Sequence, residues 1–122
     1  RRKKTSKGLG GEAFAVGYWS NANNALDTVR KQVLEGSAAA AGAAGRAALA
    51  EAERLERAGD AAAARDMVHE GGRQLAAVLK RLTPLAAGLS RSDRHEVLET
   101  PTSLLRTLEG ERKRLTKLAK RS

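Results

Sequence analysis

The sequence predicts an all-α protein, an up-and-down helical bundle of about four main helices with basic terminal extensions. Apolar residues recur in several stretches at alternating steps of four and three, which is the period of one helix face. Gly and Pro residues fall between these stretches, where helices commonly end. With 122 residues and no cysteine, the chain suits a single domain with a modest core and no disulfides.

The clearest element is a helical hairpin over residues 47–82, broken once at Gly59 and Asp60. Gly tolerates the left-handed conformation that closes a helix, and an Asp side chain accepts hydrogen bonds from the free N–H groups that open the next helix. We therefore expect two helices here, the second ending at Thr83 and Pro84. Its core face is predicted from residues at four-three spacing: Ala64, Val68, Gly71, Leu75, Val78 and Leu82.

Two stretches before Ala58 each predict a helix. The first has a helical pattern from Glu12, but poor helix formers interrupt it at Ser20, Asn21, Asn23 and Asn24. We therefore expect the regular helix to begin near Ser20 and to end at Gly36. Its predicted apolar stripe consists of Ala15, Trp19, Ala22, Leu26, Val29 and Val33. The second extends from about Ser37 to Ala58 through an Ala-rich stretch, in which two glycines each cost about 1 kcal/mol.

The C-terminal third predicts a short helix followed by a long one. Ser90 or Ser92 is expected to open the short helix, which ends at Glu99, and Ser90 and Asp93 have the spacing of a capping box. The long helix is expected to run from Pro101 towards Lys120, since proline is favoured at the first helical position. Its predicted apolar side consists of Leu104, Leu105, Leu108, Leu115 and Leu118.

Positive charge is concentrated at the two ends of this chain, whose formal net charge is +9. Residues 1–7 and 112–121 hold 11 of the 23 basic residues and no acidic residue, whereas the rest of the chain is nearly neutral. The sequence therefore predicts a basic N-terminal arm over residues 1–11, a helical body over 12–111 and a basic end of the last helix over 112–122. Clustered charge of one sign favours an anionic partner.

The candidate contact residues are the terminal cations and two aromatic residues beside the N-terminal arm. Tyr18 and Trp19 could anchor a partner or stack on bases, although the interpretation of Trp19 as a plug at one end of the bundle is favoured. The candidate set is Arg1, Arg2, Lys3, Lys4, Lys7, Tyr18, Trp19, Arg112, Lys113, Arg114, Lys117, Lys120 and Arg121.

The sequence contains no recognisable catalytic, cofactor-binding or metal-binding pattern. His69 and His95 lack the H-E-x-x-H spacing that holds two imidazoles on one metal. Carboxylates are interspersed with arginines instead of being paired in the apolar surroundings that raise the pKa of a general acid. Gly8, Gly10 and Ala13 match a G-x-G-x-x-A spacing, but no predicted strand precedes them. We expect a protein that is not an enzyme and takes no cofactor, metal or small-molecule substrate.

These observations favour an accessory or structural subunit of a larger assembly, which contacts protein subunits and docks through its basic ends on an anionic partner. One alternative is a sequence-nonspecific RNA- or DNA-binding protein of the ribosomal or nucleoid type, whose basic ends neutralise phosphates. Another is peripheral attachment to an anionic membrane surface through the leucines and lysines of the last helix.

Two stretches, WSNANNAL at residues 19–26 and the hairpin from Arg57 to Leu82, resemble helices of the Q-type extrinsic proteins of photosystem II. Size, basicity and the predicted number of helices are similar as well. The resemblance covers about half of the chain and implies an extrinsic subunit of an organelle membrane complex. Because the sequence begins at Arg1 and has no apolar run of about 18 residues, we expect a soluble or peripheral protein, processed on entry to a plastid or mitochondrion.

Overall fold

Three α-helices and no strand make up the part of the chain that the structure describes. The computed structural model describes the backbone of residues 10–121 and the side chains of residues 25–121. Helix α1 spans Gly10–Arg57, α2 spans Ala61–Ala86 and α3 spans Arg91–Arg121. The predicted all-α class is confirmed, but the described residues form three helices, where about four were predicted.

The chain divides into two compact units, with the boundary after Gln32, inside α1. The described part of the first unit is the N-terminal stretch of α1. The second unit begins at Val33 and contains the remainder of α1 together with α2 and α3. All packing described below belongs to this second unit.

Helix α1 continues through Gly36, so the predicted helix end there is wrong. Leu34 and Ala38, on either side of this glycine, are both buried in one core cluster, which keeps the intervening backbone helical. The alanines that follow have the highest helix propensity, and they offset the cost of about 1 kcal/mol for each glycine. Burial and propensity together therefore merge the first two predicted helices into one.

The apolar stripe predicted for the first helix is exposed wherever the structure describes its side chains. Leu26 is 63% exposed, Val29 56% and Val33 62%. The residue that enters the core is Leu34, which is 4% exposed and lies about 100° further around the helix than Val33. The side chains of the other three members lie outside the described residues: Ala15, Trp19 and Ala22.

The turn predicted between α1 and α2 is confirmed. Gly59 has a φ of +85°, which an L side chain rarely adopts. The N–H of Gly59 donates to the carbonyl of Glu56 at 2.9 Å, and the N–H of Asp60 donates to that of Leu55 at 3.0 Å, as in a Schellman motif. The Asp60 carboxylate then caps α2 by accepting a hydrogen bond from the Ala63 N–H at 3.0 Å.

Two prolines lie inside helices, contrary to the predicted boundaries. Helix α2 continues past Pro84 to Ala86, whose side chain is completely buried. Helix α3 begins at Arg91, after the Ser90 hydroxyl accepts a hydrogen bond from the Asp93 N–H at 3.2 Å, as the capping prediction requires. It then continues through the buried Pro101, so the predicted short helix and last helix are one. Burial of this proline ring outweighs the backbone hydrogen bond that proline cannot make.

The second unit is an up-and-down bundle, because short connections at residues 58–60 and 87–90 reverse the chain twice. Two clusters fill its core. The cluster beside the α2–α3 connection consists of Leu34, Ala38, Leu82, Ala86, Leu89 and Val97. The cluster towards the α1–α2 connection consists of Ala52, Ala64, Val68, Leu75, Leu108 and Leu115. The faces predicted for α2 and for the leucine side of α3 therefore do enter the core.

Glycines bring the helices into close contact at two points. A Cβ atom added at Gly45 would lie 2.7 Å from Leu104 Cδ2, and one added at Gly71 would lie 2.7 Å from Ala48 Cβ. The Leu104 methyl can rotate away, whereas the Ala48 methyl is fixed to the backbone. Gly71 therefore sets how closely α2 approaches α1.

Candidate docking surface on the third helix

The solvent-facing side of α3 is purely basic over its last three turns. Leu108 and Leu115, each 1% exposed, hold the opposite side of this helix in the core. Five of the described residues after Gly110 are exposed, all of them basic, and Arg114 is the one among them that forms ion pairs. We call the other four the α3 cationic face: Lys113, Lys117, Lys120 and Arg121. At 3.6 residues per turn they fall within an arc of about 100°, and at 1.5 Å per residue they extend over about 12 Å.

No acidic side chain among the described residues forms an ion pair with the α3 cationic face. The nearest carboxylates in the sequence are those of Glu109 and Glu111. Glu111 accepts hydrogen bonds from Arg114 instead, at 2.9 Å and 3.1 Å. The four positive charges therefore face solvent with no neutralising group from the described fold.

Arg114 belongs to the same basic segment but is held within the fold. Its guanidinium donates to both carboxylate oxygens of Glu56, at 2.7 Å and 2.9 Å, and also to Glu111. The hydrogen bonds with Glu56 and then with Glu111 raise the pKa of Arg114, and the same contact lowers the pKa of Glu56. This pairing joins α3 to the end of α1, so we do not include Arg114 in the α3 cationic face.

The remaining predicted contact residues are distributed differently. Arg112 is partly buried and lines the groove between α2 and α3, together with His69 and Glu109. Tyr18 and Trp19 belong to α1, but their side chains lie outside the described residues. The arm cations also lie outside the described residues: Arg1, Arg2, Lys3, Lys4 and Lys7.

A second group of exposed cations flanks the α2–α3 connection, outside the two terminal segments from which the contact residues were predicted. It consists of Lys80, Arg81, Arg91 and Arg94. None of the four forms an ion pair with a described acidic side chain. A count of charges over residues 80–94 finds this group, since Asp93 is the one acidic residue there.

No titratable side chain is buried in the part of the chain whose side chains the structure describes. Among the described residues, no three His, Asp or Glu side chains are placed to hold a metal ion. His95 Nε2 lies 3.6 Å from Glu99 Oε2, and both side chains are exposed. The cavities are open grooves between neighbouring helices, such as the one that Val68 and Leu105 line between α2 and α3. No described helix is long and apolar enough to cross a membrane.

Comparisons with known proteins identified no relative of this chain. No family model matches the chain, and neither the curated proteins nor the solved structures give a significant match. The resemblance to the Q-type extrinsic proteins of photosystem II therefore stays a prediction from the sequence.

Proposed function

We propose that this chain is a non-catalytic docking module, which attaches its helical bundle to an anionic partner within a larger assembly. The observation that carries the proposal is the α3 cationic face, whose four exposed charges have no acidic partner among the described residues. Positive charge arranged on one side of a helix attracts negatively charged surfaces and guides their approach.

Most other described arginines near carboxylates are neutralised within their own helix. Arg54 pairs with Glu51 three residues earlier, and Arg73 pairs with Glu70 at 2.7 Å in the same way. Such alternation of charge is typical of a solvated helix surface. The last turns of α3 lack this alternation, and their unpaired cations lie along one side of a single helix, whereas those beside the α2–α3 connection are divided between two helices.

The like charges of the α3 cationic face lower the stability of the helix that carries them. Lys113 and Lys117 are four residues apart, as are Lys117 and Arg121, and like charges at this spacing destabilise a helix by about 0.2–0.5 kcal/mol per pair. One or two cations in the last turn are enough to complement the helix macrodipole. The additional charges therefore weaken α3, and a docking role accounts for them.

Insertion of α3 into a membrane is less well supported. An interfacial helix buries its apolar side among lipids, and on α3 that side carries Leu108 and Leu115. Both leucines are 1% exposed because they already pack against α1 and α2. A membrane surface would therefore meet only the charged side of the helix.

The test compares two variants that lose the same number of positive charges. The face variant carries Lys113→Gln, Lys117→Gln, Lys120→Gln and Arg121→Gln. The control variant carries Lys80→Gln, Arg81→Gln, Arg91→Gln and Arg94→Gln. On immobilised heparin, a general polyanion, the face variant should elute at a clearly lower salt concentration than the parent, and the control variant should elute close to the parent. Equal elution of the two variants would show that docking does not depend on the α3 cationic face.

A stability measurement accompanies the binding test. Removal of the like-charge pairs stabilises α3, whereas loss of Lys120 and Arg121 from its last turn removes the charges that complement the macrodipole. Because these two effects oppose each other, the free energy of unfolding of the face variant should differ from that of the parent by about 1 kcal/mol or less. Circular dichroism should show unchanged helix content in both variants. A loss of binding together with a loss of helix would count against the proposal, since it would place these residues in the fold.

A further inference from the structure

We infer that the anionic partner is the phosphate backbone of duplex nucleic acid, which the α3 cationic face binds without reading base sequence. This inference rests on the docking function proposed above and identifies the partner of the same surface. Three features of the α3 cationic face support it: the spacing of its charges, the chemistry of its side chains and the absence of aromatic residues among them.

The spacing of the cations suits a partner with dense and regular charge. The face extends over about 12 Å of helix axis, and duplex DNA carries one negative charge for each 1.7 Å or so of its own axis. About seven phosphate charges therefore lie along this length. Lys113 and Arg121, at the two ends of the face, can each lie close to a phosphate at many positions of the helix along the duplex.

The exposure of these side chains also favours a nucleic acid over a protein partner. Ion pairs between fully solvated side chains contribute little to binding, because water and salt screen them. A cation that neutralises a nucleic acid phosphate gains in addition from the release of condensed counterions. Exposed lysines such as Lys113 and Lys117 therefore bind a polyelectrolyte more tightly than they bind an isolated carboxylate.

The residue types indicate a duplex bound through its backbone. Protein interfaces are depleted in lysine and use buried aromatic or arginine anchors, whereas three of the four residues here are lysines. Single strands are bound by stacking of bases on aromatic side chains, and the α3 cationic face has none. Lysine binds phosphate as a flexible point charge, without the rigid planar fork that orients arginine, and three of the four residues here are lysines.

The test measures how duplex binding depends on salt. A fluorescein-labelled duplex of 20 base pairs is titrated with the parent, the face variant and the control variant between 50 and 200 mM NaCl, with anisotropy as the readout. Each neutralised phosphate contributes about −0.9 to the slope of log Kobs against log salt, so the face variant should have a slope shallower by about 3.6. Over this range the parent should lose affinity about 150-fold more than the face variant.

Three controls define the mode of binding. The cations of residues 1–7 are the same in all proteins, so their contribution cancels between parent and variant. The conservative variant Lys113→Arg, Lys117→Arg and Lys120→Arg should keep the parent slope, because the effect depends on charge. A second duplex of unrelated sequence should bind with the same affinity within about twofold, whereas strong preference for one sequence or for a single strand would contradict the inference.

Two further probes separate this inference from the docking proposal. The same three proteins are titrated with poly-glutamate and with vesicles of phosphatidylcholine and phosphatidylserine. If the face variant loses binding to either of these probes but keeps the parent's salt slope on the duplex, the nucleic acid inference is wrong and docking through the α3 cationic face stands. If the face variant equals the parent on all three probes, both proposals are wrong.

Discussion

Replacement of Gly71 by alanine should destabilise the bundle, although the same change normally strengthens a helix. An ideal Cβ atom at residue 71 lies 2.7 Å from the Cβ atom of Ala48 on α1. Two carbon atoms prefer a separation of about 3.5–4.0 Å, so the two helices must move apart locally by about 1 Å. Neither methyl group can rotate away, because each is bonded directly to its backbone.

Two opposing effects determine the size of this change. Alanine gains about 0.8–1.0 kcal/mol over glycine in helix propensity, whereas overpacking in a closely packed interior costs about 1–3 kcal/mol. Gly110 provides the reference, because it is helical and exposed and has no atom within 4 Å of the added Cβ. Gly110→Ala should therefore raise the free energy of unfolding by the full propensity gain. Gly71→Ala should be about 1–3 kcal/mol less stable than this reference.

The assay is urea unfolding followed by circular dichroism, with the free energy of unfolding extrapolated to water. The double variant Ala48→Gly/Gly71→Ala moves the methyl group from α1 to α2 and should recover most of the lost stability. A double-mutant cycle should then give a favourable coupling of about 1–3 kcal/mol between the two positions. If Gly71→Ala were as stable as Gly110→Ala, α1 and α2 would not be in contact at this level and the reasoning would be refuted.

Two other predictions concern the ends and the surface of α2. Asp60→Ala removes the carboxylate that caps Ala63, and it should lower the free energy of unfolding by about 0.5–2 kcal/mol in the same urea assay; an unchanged midpoint would contradict the capping role. Hydrogen bonds from Arg73 and then Gln74 lower the pKa of Glu70 from 4.5 to about 2. Its stabilising contribution is therefore complete above pH 4.5 or so and is lost as the pH falls towards about 2. Glu70→Gln should flatten the dependence of the unfolding midpoint on pH over this interval, and an unchanged pH dependence would contradict the role of its contacts with Arg73 and Gln74.

The parts of the fold that could be predicted are those that neighbouring residues determine. The turn between α1 and α2 depends on the φ of Gly59 and on the side chain of Asp60, both of which are local properties. The core face of α2 follows from a regular spacing of apolar residues, and the structure buries Val68 and Leu75 as that spacing requires. In both cases no distant contact competes with the local signal.

The helix boundaries that could not be predicted depend on distant contacts. Gly36, Pro84 and Pro101 are ordinary signals for a helix end, and each lies inside a helix because flanking residues or the proline ring itself are buried against another helix. The sequence alone does not show that Leu34 and Val97 belong to one core cluster. Packing across the bundle therefore overrides the local preference at these positions.

The candidate surface was predictable as a charge cluster but not as a geometric face. A run of basic residues after Glu111 is visible in the sequence, and the helix period places Lys113 and Lys117 on one side. The pairing of Arg114 with Glu56 was not predictable, because the two residues are 58 positions apart and meet only in the folded bundle. That contact distinguishes Arg114, which stabilises the fold, from Lys113 and Lys117, which remain available to a partner.

The contact between Gly71 and Ala48 also constrains how the sequence can change during evolution. The space between α1 and α2 at this level holds one methyl group, and α1 supplies it in this chain. Among descendants that keep the bundle, a substitution that adds a methyl group at one of these positions is tolerated when the other loses it. Ala48 and Gly71 should therefore covary, whereas the open surroundings of Gly36 and Gly110 allow those positions to vary independently.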